Sequence, residues 1–272
     1  MSCRALAGGG NSSEVLQLYE GIFGLEDATA FAAPTAAPTA APTAATFIPN
    51  HASAAERRAW AQIHGFTWAD QSITKAGKHK RSEEPPVCDC HWDRPQNSAM
   101  MYECAETPGC TNRQLRDLAK NPQSGVALEV FDTGGGKGWG VRALRDLQAG
   151  ELITEYVGRV LDNRQFAKKI QGYNSCKRYL LRAGDVVIDA SEHGNTARFV
   201  NHSCSPTAII QLWQIAAQDG LSLRTSVGMF AKDFIKTGSE VTYDYKFEAF
   251  EDSVQTRCLC GASNCRLFLN KK

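Results

Sequence analysis

The feature that most constrains this 272-residue chain is its cysteines: ten in all, eight of them in close sets. Cys88, Cys90, Cys104 and Cys110 form one set. Cys258, Cys260 and Cys265 form the other, with Cys204 upstream, and Cys3 and Cys176 are left over. In a Cys-x-Cys pair the two sulfurs lie close together yet bridge each other awkwardly, whereas both can point at one metal ion. A disulfide framework would also want an export signal, and residues 1–30 contain no apolar h-region. The spacing therefore predicts reduced thiolates binding tetrahedral zinc, in a cytosolic or nuclear compartment. The competing reading is of unliganded thiols, buried or at the surface. Zinc sites of this kind close small irregular segments that have little hydrophobic core, so their metal-binding energy is folding energy.

Composition bounds the rest. With 43% hydrophobic and 22% charged residues and a formal net charge of +1, the chain is an ordinary soluble one, neither a basic nucleic-acid coat nor an acidic tail. The longest uncharged run, Phe31 to Asn50, is broken by prolines, so no membrane span is expected. Residues 1–52 repeat Ala-Pro-Thr-Ala three times and are expected to be a disordered, low-complexity linker. A transit peptide is the alternative, which Glu14, Glu20, Glu26 and Asp27 oppose. Residues 53–84 read as a short helix and a basic linker. Ser53-Ala-Ala-Glu56 is a capping box, Trp60 and Ile63 fall at helical spacing and Gly65 is a stop, which predicts a helix over 54–64. Its aromatic side would dock on the folded domain or, alternatively, on a partner. Lys75 to Arg81 is a basic run suited to weak DNA contact, to nuclear import, or simply to a solvated loop.

From Cys88 onward the pattern is of short strands. Glu151 to Val157, Val186 to Asp189, Val227 to Ala231 and Glu240 to Tyr243 are separated by turn signals, and Asn163 to Ile170 is a candidate helix. The expected class is mostly β with short helices. Gly134 to Gly140 is glycine-dense but lacks the phosphate-loop spacing, since Lys137 is followed by glycine. Gly138-Trp-Gly140 would let backbone approach a ligand, with an indole face suited to a cation beside it.

Four segments then occur in a telling order: Gly138-Trp-Gly-Val141, Glu155-Tyr-Val-Gly158, Gly194-Asn-Thr-Ala-Arg-Phe-Val-Asn-His-Ser-Cys204 and Glu240-Val-Thr-Tyr-Asp-Tyr245. Together they resemble a SET domain. Cys258-Leu-Cys-Gly-Ala-Ser-Asn-Cys-Arg266 resembles its post-SET zinc segment, and Cys88 to Arg113 resembles an AWS-type pre-SET segment. The resemblance covers about residues 85–268 and points to the Ash, NSD and Set-two group of histone lysine methyltransferases. It implies a SET-type β-fold with a knot-like C-terminal crossing. The implied divisions are a pre-SET segment over 85–125, a catalytic domain over 126–248 and a post-SET segment over 249–272. The second half of the usual AWS cysteine set is missing after Asn112-Arg113, so one pre-SET zinc is expected, and two zinc ions in all.

The same resemblance implies residue roles. Tyr245 matches the catalytic tyrosine, Tyr243 the position that tunes how many methyl groups are added, and Tyr156 a wall of the lysine channel. Lys137, Gly138, Trp139, Tyr179, Arg198, Phe199, Asn201, His202, Tyr245 and Leu267 match the surroundings of S-adenosylmethionine. Cys204 would complete the post-SET zinc, clamping the C-terminal segment over the cofactor loop so that Arg266 and Leu267 close the pockets. The implied function is methyl transfer from S-adenosylmethionine to a histone-tail lysine close to the nucleosome body, by a monomer in the nucleus, on chromosomes. The rivals are a methyltransferase for a non-histone protein and a low-turnover docking module.

Overall fold

The structure, a computed structural model, describes residues 46–47, 52–73, 88, 101–104, 110–134, 136–171, 179–183, 186–216, 223–245 and 256–269. In chain order these form β1 (Thr46–Phe47), α1 (Ala54–Ile63), β2 (Thr67–Trp68), α2 (Gln114–Lys120), β3 (Leu128–Asp132), β4 (Trp139–Ala143), β5 (Leu152–Glu155), β6 (Arg159–Leu161) and α3 (Asn163–Gln171). There follow β7 (Leu180–Ala183), β8 (Val186–Asp189), β9 (His193–Gly194), β10 (Asn201–His202), β11 (Ala208–Ala216), β12 (Leu223–Ala231) and β13 (Glu240–Tyr243), with 3-10 turns at Pro122–Ser124 and Thr196–Phe199. The class is mostly β with short helices, as expected. No helix among the described residues is long and apolar enough to cross a membrane. The leftover Cys3 and Cys176, the basic run Lys75 to Arg81 and Cys90 all lie outside the described residues.

Local chemistry explains α1. Ser53 Oγ accepts from the Glu56 amide at 3.2 Å and Glu56 returns a bond to the Ser53 amide at 2.7 Å, closing the capping box. At the other end Gly65 takes φ 76°, its amide reaching Gln62 O and the Phe66 amide reaching Ala61 O, the paired bonds of a Schellman stop. Trp60 stacks on Phe47 at 4.5 Å and meets Phe199 edge-on at 5.5 Å, so the helix docks through its indole. Ile63 does not join it: its side chain is 76% exposed. Within the segment expected to be irregular, Thr46 and Phe47 pair antiparallel with Phe131 and Val130, giving Phe47 a fixed place under Trp60.

The largest sheet runs β1-β3-β4-β13-β10, and a second runs β11-β12-β5. β3, β4, β6, β7, β11, the first half of β12 and the two-residue β1, β2, β9 and β10 lie outside the segments expected as strands. The nine-residue pairing of β11 with β12, and the seating of β4 between β3 and β13, are long-range contacts that local pattern does not reveal. Valines 130, 141, 227 and 241 and Met229 are fully buried in the common core. β10 and β13 are parallel, Asn201 opposite Thr242 and His202 opposite Tyr243, although an antiparallel hairpin lies between them in sequence. This pairing lays the Asn-His segment beside the Tyr-Asp-Tyr segment.

Candidate functional site

At the end of β13 three phenols gather. The Tyr243 and Tyr245 rings lie 4.7 Å apart, and Tyr156 is close enough that ionising any one would disfavour the others. Tyr156 is 3% exposed and donates its hydroxyl to Tyr179 O at 3.0 Å. Burial pushes the Tyr156 and Tyr243 phenols above their usual range, with the neighbouring phenols adding to the shift. Tyr245 donates its hydroxyl to Val200 O at 2.9 Å, so its proton points into the protein and its lone pairs point elsewhere.

His202 ties this group to the sulfurs. Its Nδ1 accepts the Tyr245 amide at 3.2 Å, which leaves the ring proton on Nε2, 3.4 Å from Cys204 Sγ. Burial, then the Arg266 charge, hold its pKa down, with Asp244 acting in the opposite sense, so the ring is neutral. Arg266 grips Asp244 through both terminal guanidinium nitrogens, at 2.6 and 3.2 Å, while its amide donates to Cys204 Sγ at 3.4 Å. The segment carrying Arg266 is thereby fixed against the residue between the two tyrosines.

Cys204, Cys258, Cys260 and Cys265 bring their sulfurs within 4.8 Å of one another, the Cys204 and Cys258 sulfurs lying 3.9 Å apart. Four thiolates at about 2.3 Å from a tetrahedral zinc stand at such separations. Burial opposes charge on Cys260, but amide donors from Cys204 and Ala262 outweigh it and hold the thiol down to about 6. Cys258 is pushed up to about 12 by burial. A cation at the centre of the four sulfurs would favour their thiolate forms, so the set fits zinc. Cys88, Cys104 and Cys110 form a second group of three within the same spacing; the expected fourth member, Cys90, is outside the described residues. Asn112 Nδ2 donates to Cys104 Sγ at 3.4 Å.

The residues expected around the cofactor divide into two. Asn201 Nδ2 reaches Trp139 O at 3.0 Å, joining the Asn-His segment to the glycine-rich one, and Gly138, at φ 76°, has open space where a Cβ would stand. Gly140 departs from expectation. A Cβ there would stand 2.5 Å from Thr133 Cγ2 and 2.9 Å from Glu240 Oε1, so its close approach is to the chain itself, not to a ligand. The Trp139 ring likewise meets His64 at 5.2 Å and Trp60 at 6.1 Å, which packs the indole against α1. Arg198 and Phe199 turn inward. The Arg198 guanidinium donates to Ala190 O at 2.9 Å and lies over the Phe66 and Tyr179 rings at 4.0 and 4.2 Å, while Phe199 packs under Trp60. Leu267, 64% exposed, holds φ 68° because its carbonyl accepts the Cys258 amide and its amide reaches Cys265 Sγ. Sequence reasoning missed Glu240 and Asp244 as site residues. Both stand inside the Glu240 to Tyr245 motif, but their partners are distant in sequence.

Residues 138–246 match the SET domain family model. The chain contains a SET domain. It is 34% identical over 206 residues to the histone-lysine N-methyltransferase SETD2 of Mus musculus, covering 72% of this chain and 7% of that protein. It is 29% identical over 236 residues to the H3 lysine-36 specific histone-lysine N-methyltransferase of Mycosarcoma maydis, covering 79% of this chain and 23% of that one. In sequence it is thus similar to members of the Ash and Set-two group, and it spans under a quarter of either of these two relatives. Among solved structures, Arabidopsis thaliana SUVH6 in complex with SAM superposes with a TM-score of 0.59 at 25% identity, over 75% of this chain and 50% of that chain.

Proposed function

We propose that this SET-domain protein is an S-adenosylmethionine-dependent protein-lysine methyltransferase acting on histone H3, at the lysine-36 position named for its relatives. The observation that carries the reading is the placement of Tyr245. Its hydroxyl proton is directed to Val200 O, and its backbone is held by His202 beside the buried Tyr156 and Tyr243. When bound, S-adenosylmethionine supplies an electrophilic methyl group. Asn201, with the backbone of Lys137, Gly138 and Trp139, would hold it, and the open face at Gly138 together with the fixed Asn201 amide fits that role. Arg198, Phe199 and Tyr179 act from behind, as packing that keeps the loop in place.

The protein's share of the chemistry is orientation and exclusion of water. A lysine amine must be neutral to attack, against an unperturbed pKa of about 10.4, and a channel walled by buried phenols disfavours its ammonium form. The Tyr245 oxygen, its own O–H donating to Val200 O, can accept from the amine and aim its lone pair. Holding both reactants in line supplies effective molarities on the order of 10⁵ M or more. Tyr243 lines the amine's end of the channel, where its hydroxyl limits room for added methyl groups. The zinc on Cys204, Cys258, Cys260 and Cys265 fastens the C-terminal segment, Arg266 and Leu267 included, over the site, and Cys88, Cys90, Cys104 and Cys110 hold the pre-SET zinc. The divisions at 85–125, 126–248 and 249–272 stand as pre-SET, SET and post-SET segments, and the setting is the nucleus, with the basic run Lys75 to Arg81 touching nucleosomal DNA.

The test is transfer of labelled methyl groups to intact nucleosomes, to nucleosomes in which H3 lysine 36 is replaced by alanine, and to a cell lysate, with Tyr245→Phe as control. Labelling of intact nucleosomes that requires both the lysine and Tyr245 is expected. Labelling confined to non-histone proteins would move the substrate off chromatin, and binding without labelling would make the chain a docking module.

A further inference from the structure

Glu240 joins the two segments assigned to the cofactor, from a third. Standing at the start of β13, it takes the Lys137 ammonium on Oε2 at 2.8 Å and the Asn201 amide on Oε1 at 2.9 Å. The same amide reaches Trp139 O, so one carboxylate fixes the glycine-rich turn and the Asn-His strand together. The packing here is close at Gly140, where a Cβ would stand 2.9 Å from Glu240 Oε1 and 3.1 Å from Asn201 Nδ2. The Lys137 and Glu240 side chains are only 25% and 23% exposed, so their charges act through a medium less screening than water.

We infer that Glu240 is a positioning and charge-matching residue of the cofactor site. It holds Lys137 and Asn201 in place and cancels the lysine's charge, so that a net cationic cofactor is not repelled relative to its neutral product. The inference rests on the S-adenosylmethionine reading above. That molecule carries a sulfonium, an ammonium and a carboxylate. Losing the methyl group to the lysine amine returns the sulfonium electron pair to sulfur, leaving a neutral thioether in S-adenosylhomocysteine. Cofactor and product therefore differ by one charge at nearly the same shape, and an ion pair at the site sets their relative affinity.

Calorimetric titration of the full chain with each of the two molecules tests this without turnover. Glu240→Gln leaves the lysine charge uncancelled and is expected to lower the affinity for S-adenosylmethionine relative to S-adenosylhomocysteine by roughly fivefold. Lys137→Met leaves the carboxylate uncancelled and is expected to raise the same ratio by a similar factor. A merely structural role would weaken both ligands together, so ratios equal to the wild type in these variants would overturn the inference. Should Glu240→Gln fail to fold, Lys137→Met decides alone, an unchanged or lowered ratio counting against it. A wild-type chain that binds neither molecule would remove the cofactor reading itself, a result distinct from wild-type binding with unmoved ratios.

Discussion

The sulfurs of Cys204, Cys258, Cys260 and Cys265 lie within 4.8 Å of one another, as do those of Cys88, Cys104 and Cys110, yet the two groups touch different parts of the molecule. The C-terminal group meets His202 and the Arg266 amide, and through them Tyr245 and Asp244. The N-terminal group leads away from the phenols. Beside Cys104, Glu103 caps α2 by accepting the Leu115 and Arg116 amides at 2.6 and 2.9 Å, and its backbone pairs with Gln214 on β11. Burial pushes the Glu103 carboxyl up to about 7 against those two bonds, so it is held by the fold around it. Leu115 in turn packs in a small second core with Trp213, Ile215 and Phe230. Identical ligand chemistry can therefore serve two ends: a metal on the first group would fasten the residues around Tyr245, and one on the second would fasten a supporting corner.

The largest expected effect separates the two. Cys260→Ser should abolish both methyl transfer and measurable cofactor binding, whereas Cys104→Ser should lower the melting temperature and, below that transition, leave cofactor affinity within a few-fold of wild type. Equal loss of cofactor affinity in both variants would break the distinction. Tyr245→Phe keeps the ring but deletes the bond to Val200; turnover should fall about a hundredfold or more while cofactor affinity stays nearly unchanged. Arg266→Lys loses the paired grip on Asp244 and should weaken cofactor binding by about 1–3 kcal/mol, read by calorimetry, with less effect on melting. Smallest in rate is Tyr243→Phe, which should shift product towards higher methylation states on the same lysine, read by mass spectrometry. The phenols also set a pH expectation. Tyr156 and Tyr243 have pKa values above the ordinary 10 and stay protonated, so the rate should climb as the substrate amine loses its proton, with no falling limb below about pH 10 from these groups.

Where sequence and structure agree, the agreement has local causes. The helix over Ala54–Ile63 follows from Ser53, Glu56 and Gly65, each of which acts within one turn of itself. Trp60 was legible as its docking face but Ile63 was not excluded, because helical spacing does not say how wide the buried stripe is. β4 was hidden because Gly138-Trp-Gly140 looks like a loop until Thr133, Glu240 and Asn201 close around Gly140. The candidate site was legible as a set of motifs, and its residues do meet at β10 and β13. What no motif revealed was its wiring. The Lys137–Glu240 pair spans 103 positions, the Tyr245–His202 bond spans 43, and the inward turn of Arg198 depends on rings from three separate segments.

The central claim is that the C-terminal sulfur cluster fixes Tyr245 through His202. Hydrogen exchange at the Tyr245 amide, which donates to His202 Nδ1, tests it most directly when wild type, Cys260→Ser and Cys104→Ser are compared. Cys260→Ser should lose protection at Tyr245 while the Leu115 and Arg116 amides on Glu103 stay protected, and Cys104→Ser should show the reverse. Undiminished protection at Tyr245 in Cys260→Ser would contradict the account.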